Sequence, residues 1–306
     1  MSDTIFIAAA SPASSPEREG DGQSFIPTEH ARGPWDPQAL HGGAPAALIA
    51  DAFERLEPGS QLRIARLGFE LLRPIPFAPL TLSTRIVRPG RRVQELAAEL
   101  TAGVGDSRQV VCRASALRVQ EISAEVAAAA IVQEAAADVA AAAIGGGADA
   151  PSADAEAHTR SDSLPPPDQA TPVRFALDEE NIDRASFAAS AMEMRWLSDP
   201  RAPGPGRVWM RLRHPLLEGR ELTALARLAA TADFGNGVSA ELPFERFLFI
   251  NADLTIHLQR PPLGEWIGLD ARTLLHGGGA GLAESVLHDV HGPVGRAFQT
   301  LVVQPR

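Results

Sequence analysis

A carboxylate that closes a helix on its apolar side is placed to act on something held away from water, and Asp233 has that placement. The helical run from Glu221 ends at Ala232-Asp233. Counting back four, seven and eleven residues reaches Ala229, Ala226 and Leu222, all apolar. A helix C-terminus carries the negative end of the macrodipole, which disfavours a carboxylate by about a few tenths of a kcal/mol. Two readings stay open: a proton acceptor in a desolvated site, or a side chain that turns to water or caps the Gly235-Asn236-Gly237 turn. Gln299 stands with Ala297, Leu301 and Val303 in the row of a period-two strand, so its amide needs partners, either in a site or on the backbone. His41-Gly42-Gly43 opens a helix whose first amides no side chain blocks. That is a donor site for a carbonyl oxygen or a phosphate, or else a tight turn with glycine for packing. Asn251 alternates with Leu248, Ile250, Ala252, Leu254 and Ile256. It therefore shares a solvated-looking face with Asp253, Thr255 and His257, unless that face lines a cleft or a bulge near Asn251 resets the alternation.

Other chemistries have less to stand on. The eight histidines show no spacing that gathers a metal site, and with a single cysteine a structural zinc is not expected. Cys112, in Val110-Val111-Cys112, reads as a buried strand residue, and one cysteine forms no internal disulfide, so a reducing compartment is favoured. A net charge of −10 with no dense Lys/Arg block argues against a nucleic-acid surface. No apolar run is long enough to span a bilayer and no basic segment precedes Ile5 to Ala10, so a cytoplasmic protein is expected.

Positioning such residues takes a core, and 306 residues with 45% hydrophobic content allow a sizeable one. Residues 1–23 read as a mobile N-terminal arm, and organised sequence starts near Phe25. A helix from Gly43 to about Leu56 is stopped by Pro58-Gly59; strand signals follow at Leu62–Leu72, Leu80–Val87, Val93–Leu100 and Gln109–Val119. Residues 121–172 form an alanine-rich helix and a low-complexity linker ending in Pro165-Pro166-Pro167. The second half then repeats the order of the first: a strand at Gly206–Arg213, a helix at Glu221–Asp233, and strands at Phe247–Leu258, Trp266–Leu275, Leu282–Val290 and Gly295–Val303. Ala50-Asp51 matches Ala232-Asp233, Arg73-Pro74 matches Arg260-Pro261, and Ser115 stands where the second half has Gln299. The expected class is α+β, with antiparallel sheets each wrapping a helix, in units 24–120 and 173–306.

On His41-Gly42-Gly43, Ala232-Asp233, the strand Asn251–Thr255 leading to Arg260-Pro261, and Gln299, the chain resembles the double-hotdog acyl-CoA thioesterases of the thioesterase II branch. The resemblance implies two hotdog repeats in one chain, an acyl-CoA substrate, no cofactor, and metal-free hydrolysis. It implies that Asp233, Asn251 and Gln299 orient the hydrolytic water and that Gly42 or Gly43, beside His41, donates to the thioester oxygen. Paired hotdog sheets also leave edges that a homo-oligomer would cover. Two alternatives accompany it. Asp36 and His41, five apart, resemble the Asp/His dyad of hotdog enoyl-CoA hydratases, although the Gly before the acid and the Asn-Pro between the pair are missing. A non-catalytic acyl-CoA binder, with Asp233 structural, is the other.

Overall fold

The computed structural model describes residues 3–9, 22–34, 36–122, 163–173 and 185–306. The alanine-rich segment, most of the linker, residues 10–21 and Trp35 lie outside the described residues. The strands are β1 (Phe6–Ala8), β2 (Gln23–Pro27), β3 (Leu62–Leu71), β4 (Leu80–Arg88), β5 (Val93–Ala102), β6 (Gln109–Gln120) and β7 (Thr171–Pro172). They continue with β8 (Met192–Trp196), β9 (Gly206–Leu212), β10 (Phe247–Asn251), β11 (Asp253–Leu258), β12 (Ile267–His276), β13 (Ala280–Asp289) and β14 (Gly292–Pro305). Helices α1 (Gly43–Arg55), α2 (Ala224–Ala232) and the short α3 (Gly235–Val238) lie against them.

All pairings are antiparallel, and the strands form one sheet in the order β1-β2-β4-β5-β6-β3-β11-β14-β13-β12-β9-β8-β7, with β10 on β14. The two antiparallel sheets expected, one in each half, are thus joined edge to edge where Ile256 of β11 faces Leu67 of β3. On one side of this seam the order is β2-β4-β5-β6-β3; on the other, read outward in, it is β9-β12-β13-β14-β11. In each run one strand precedes the helix and four follow it.

The inner side of the sheet is filled by the helices. From Gly43 to Asp51 every residue of α1 is buried, as a helix enclosed on all sides requires. Its small residues let it lie close to α2, and the two run antiparallel. At one end a Cβ on Gly43 would stand 2.7 Å from the Ala230 carbonyl oxygen. At the other, Arg55 Nη2 donates to the Glu221 carbonyl at 2.6 Å and the Leu225 amide donates to Glu54 Oε2 at 3.3 Å. The helix expected from Glu221 starts only at Ala224, because Thr223 caps it through the Ala226 amide, so Leu222 lies ahead of the helix rather than on its face.

Three expectations change here. Residues 4–8 do not belong to a mobile arm: Ile5 and Phe6 are fully buried, and their amides donate to the carbonyls of Pro215 and Leu216. Strand β1, with three residues, is too short for periodicity to reveal. At the linker's end, Pro165 accepts a hydrogen bond from Trp209 Nε1 at 2.7 Å, and Thr171–Pro172 pairs with β8 at the sheet edge. The histidines also gather more than their spacing suggested. His30 and His214 stack with ring centroids 4.0 Å apart, and Asp3 Oδ1 lies 2.8 Å from His214 Nδ1. His30 also bonds Ser190 Oγ, so the cluster fastens the first residues to both halves of the chain.

Arg260, which follows β11, is held by Asp289 at the end of β13, where the carboxylate is almost fully buried. Burial alone would push the Asp289 carboxyl up. The Arg260 hydrogen bonds, the amides of Leu263 and His291 and the Arg260 charge outweigh it and hold the group below its ordinary value. A depressed carboxyl stabilises the fold above its unfolded value of about 3.9, and that contribution is lost as pH falls through the lower folded value. Wild-type stability should therefore fall steeply below about pH 4, and Asp289→Asn should fall less steeply over the same interval. The urea midpoint as a function of pH measures this; parallel profiles for the two proteins would refute it.

Candidate active site

Asp233 is the residue after α2 and is 5% exposed. Because α1 and α2 run antiparallel, the C-terminus of α2 meets the N-terminus of α1. The carboxylate at the unfavourable end of its own helix thus sits at the favourable end of its neighbour, an interaction of about 0.3–1 kcal/mol at an exposed site and more when partly buried. The approach is close enough to need glycine. A Cβ on Gly42 would stand 2.8 Å from Asp233 Oδ2 and 3.0 Å from Oδ1.

Both carboxylate oxygens have neighbours of no fixed charge. Asn251 Nδ2 donates to Oδ1 at 2.9 Å, and His41 Nδ1 lies 3.0 Å from Oδ2. The Gly43 amide also points at His41 Nδ1, at 3.0 Å. Nδ1 serves one of these at a time: with a proton it donates to Asp233, and without one it accepts from Gly43. The ring is clamped between Phe234, stacked at 4.3 Å, and Phe187 at 5.1 Å. Asp51, the acid that matched Asp233 in the first half, is held quite differently. It lies within α1, four residues before Arg55, and Arg55 Nε bonds both its oxygens while Arg220 approaches to 3.4 Å. It is neutralised by arginines and does not line the cavity beside Asp233.

Asn251 reaches the inner side because the strand breaks. Asn251 pairs with Leu301 and Thr255 with Phe298, so four steps on one strand oppose three on the other, with the extra residue at Ala252. Such a bulge turns the following side chains to the opposite face. Phe249 and Asn251 point inward before it, and Leu254 and Ile256 after it.

Gln299 comes to the same turn but not to the carboxylate. It is 1% exposed; its Nε2 donates to the Asp233 carbonyl at 3.0 Å and its Oε1 accepts from the Asn236 amide at 3.0 Å. A Cβ on Gly235 would collide with this Oε1 at 2.7 Å. Ser115, matched to Gln299 by numbering, belongs to the outer face of β6. The inner row there is Cys112, Ala114, Ala116 and Arg118, one residue out of step, so the first half offers no amide at this place.

A cavity of about 410 Å³ opens against this cluster. His41, Gly42, Asp233, Asn236 and Asn251 form part of its polar wall, and Leu40, Leu71, Ile75, Ile250 and Val302 part of its apolar one. Gly43 and Gln299 do not line it. The Gly42 amide makes no hydrogen bond to other described residues, whereas that of Gly43 is directed at His41. Asp36 is exposed at the cavity and its Oδ1 accepts from the Gln38 amide. His41 faces Asp233, so the Asp36/His41 dyad is not formed. Cys112 remains a buried thiol, pushed up to about 12 by burial and then by the charges of Glu70 and Asp233. Trp209 is a core residue under the Pro165 segment. Asn236, Phe187 and Phe234 escaped the sequence reading: Asn236 and Phe234 lie in the turn it singled out, but nothing local marks them, and Phe187 stands in no periodic run.

A family model described as the acyl-CoA thioesterase C-terminal domain matches residues 134–303, more than half of the chain, and one described as the acyl-CoA thioesterase N-terminal domain matches residues 31–119. No curated protein matches the sequence. Among solved structures, a protein of Alicyclobacillus acidocaldarius with a hotdog fold is 16% identical, at a TM-score of 0.62 over 96% of each chain. A candidate thioesterase of Novosphingobium aromaticivorans is 19% identical, at 0.61, covering 96% of this chain and 99% of that one. Acyl-CoA thioesterase II TesB2 of Mycobacterium marinum is 15% identical, at 0.56, over 91% of this chain and 96% of that one. At such identities the structural likeness establishes the fold, which is the hotdog. Among the described residues no helix is long and apolar enough to cross a membrane. With both halves matched by its domain models, the chain belongs to the acyl-CoA thioesterase family, enzymes that hydrolyse acyl-CoA thioesters.

Proposed function

We propose that the chain is built of two hotdog repeats, residues 24–120 and 173–306, and hydrolyses acyl-CoA at one site where their helices meet. The matching strand orders on the two sides of the seam support the duplication. The observation that carries the site is the Asp233 carboxylate, buried against the α1 N-terminus at the wall of an otherwise largely apolar cavity. The acyl chain lies along Leu40, Leu71 and Ile75, with the thioester carbonyl toward Gly42. Asp233 takes a proton from water as the water oxygen adds to the carbonyl carbon, and the Gly42 amide accepts the developing oxyanion by donating a hydrogen bond. Collapse of the intermediate breaks the carbon–sulfur bond, and the CoA thiolate recovers the proton from Asp233. The products are the free acid and CoA.

Asn251 and His41 hold the carboxylate oxygens, and Asn251 shares the cavity wall with the attacking water. Gln299 acts at one remove: by bonding the Asp233 carbonyl and the Asn236 amide it positions the turn that carries Asp233. Thiol release from a series of acyl-CoA esters tests the reading against its rivals. Release is expected, with a chain-length optimum. A change at the enoyl bond of an enoyl-CoA without thiol release would indicate a hydratase, and saturable acyl-CoA binding without turnover would reduce the protein to a binder.

A further inference from the structure

The acyl end of the substrate has its cavity, but CoA also carries a nucleotide with several negative charges, and the protein around it has a net charge of −10. Long-range attraction therefore works against binding, and a local cation has to supply the contact. Among the described residues, Arg73 is the one arginine or lysine at the wall of the cavity that holds Asp233. It follows β3, is exposed, and its guanidinium is steadied through Nη1 by the side-chain oxygen of Gln109. Gln109 is neutral, and no carboxylate pairs with Arg73 among the described residues. A guanidinium has five donors, so one bond to Gln109 leaves a free edge for a phosphate.

Arg260-Pro261 is the counterpart of Arg73-Pro74, and there the arginine is taken up by Asp289 in a two-pronged pair and by the Gly292 carbonyl. One arginine of the matched pair is neutralised in the fold, and the other keeps its charge at the cavity. Asp36 lines the same cavity but makes no ion pair with Arg73, and its Oδ1 is engaged by the Gln38 amide.

Resting on the hydrolytic reading of the same cavity, we infer that Arg73 is the anion site that holds the phosphates of CoA while the thioester lies at Asp233. It makes the enzyme selective for CoA thioesters over the same acyl group on a short neutral thiol. The test compares Arg73→Gln with wild type on one acyl group carried by CoA and by N-acetylcysteamine. The ratio of kcat/KM for the two carriers is read, because a partly misfolded variant lowers both values together. Arg73→Gln should lower that ratio about fivefold through KM of the CoA ester, the size of one partly exposed charge contact. Arg73→Lys should recover part of it, and the rise of the wild-type KM with added salt should flatten in Arg73→Gln. An unchanged ratio and an unchanged salt slope would overturn the assignment while leaving hydrolysis at Asp233 in place. Calorimetric binding of free CoA separates the two ideas from the other side. If wild type hydrolyses neither carrier but Arg73→Gln weakens CoA binding, the anion site stands and the hydrolytic reading falls.

Discussion

Asp233→Asn should cut acyl-CoA hydrolysis by about a thousandfold, within the range for loss of a general base, while leaving the protein folded. The substitution keeps shape and removes basicity. An asparagine oxygen can still accept from Asn251 Nδ2, and its NH₂ can donate to His41 Nδ1, so the two contacts at 2.9 and 3.0 Å have replacements. What is lost is a group able to take the proton of water. The measurement is kcat by thiol release at saturating acyl-CoA, with thermal unfolding as the control on structure. A rate within about threefold of wild type, less than 1 kcal/mol of barrier, would remove Asp233 from the chemistry. Asp51→Asn makes a useful contrast. Asp51 faces Arg55 and Arg220, so its change should act on stability and leave the chemical step alone.

Arg118→Met should destabilise the fold by about 3 kcal/mol, among the largest effects of any single change far from the cavity. Arg118 projects inward from β6 and is 3% exposed. Its Nη2 donates to the carbonyls of Phe53 and Leu56 at 2.6 Å each, and Nη1 to Gln94 Oε1 at 3.0 Å. The last carbonyls of a helix have no partners within it, and a cation there also meets the negative end of the dipole. Burial draws this guanidinium below its ordinary value, and the charges of Glu57 and Glu54 work the other way. Methionine fills much of the volume but leaves two buried acceptors and the half-buried Leu56 carbonyl without their donor. Urea unfolding of the two proteins reads the difference. A loss below about 0.5 kcal/mol, the level of an ordinary surface change, would show that water satisfies those carbonyls instead.

Both predictions concern residues whose element was readable in the sequence and whose partners were not. Period-two rows placed Gln299 on an apolar face, and helical spacing placed Asp233 on the inner side of its helix. Matching the halves by numbering put Ser115 opposite Gln299, but the inner row of β6 is Ala114 and Ala116, one residue out of step, and nothing in the composition marks the shift. For Asn251 it left two outcomes, and the extra residue at Ala252 decided between them. Gln299 was legible as a buried amide in need of partners, but not that those partners are the Asp233 carbonyl and the Asn236 amide.

By itself the sequence determined the order of helix and strands in each half, the glycines that open α1, and the inward side of the Asp233 helix. These follow from local rules: side-chain period, capping and backbone freedom act over a few residues. Only the tertiary structure decided that β3 and β11 join the halves into one sheet and that α1 and α2 lie antiparallel against it. That packing turns Asp233 from a carboxylate at the wrong end of one helix into a carboxylate at the right end of another, with His41 and Gly42 beside it. The physical reason is range. A dipole, a close glycine contact and a shared proton act across a few ångströms of space, and residues far apart along the chain come that close only when the core assembles.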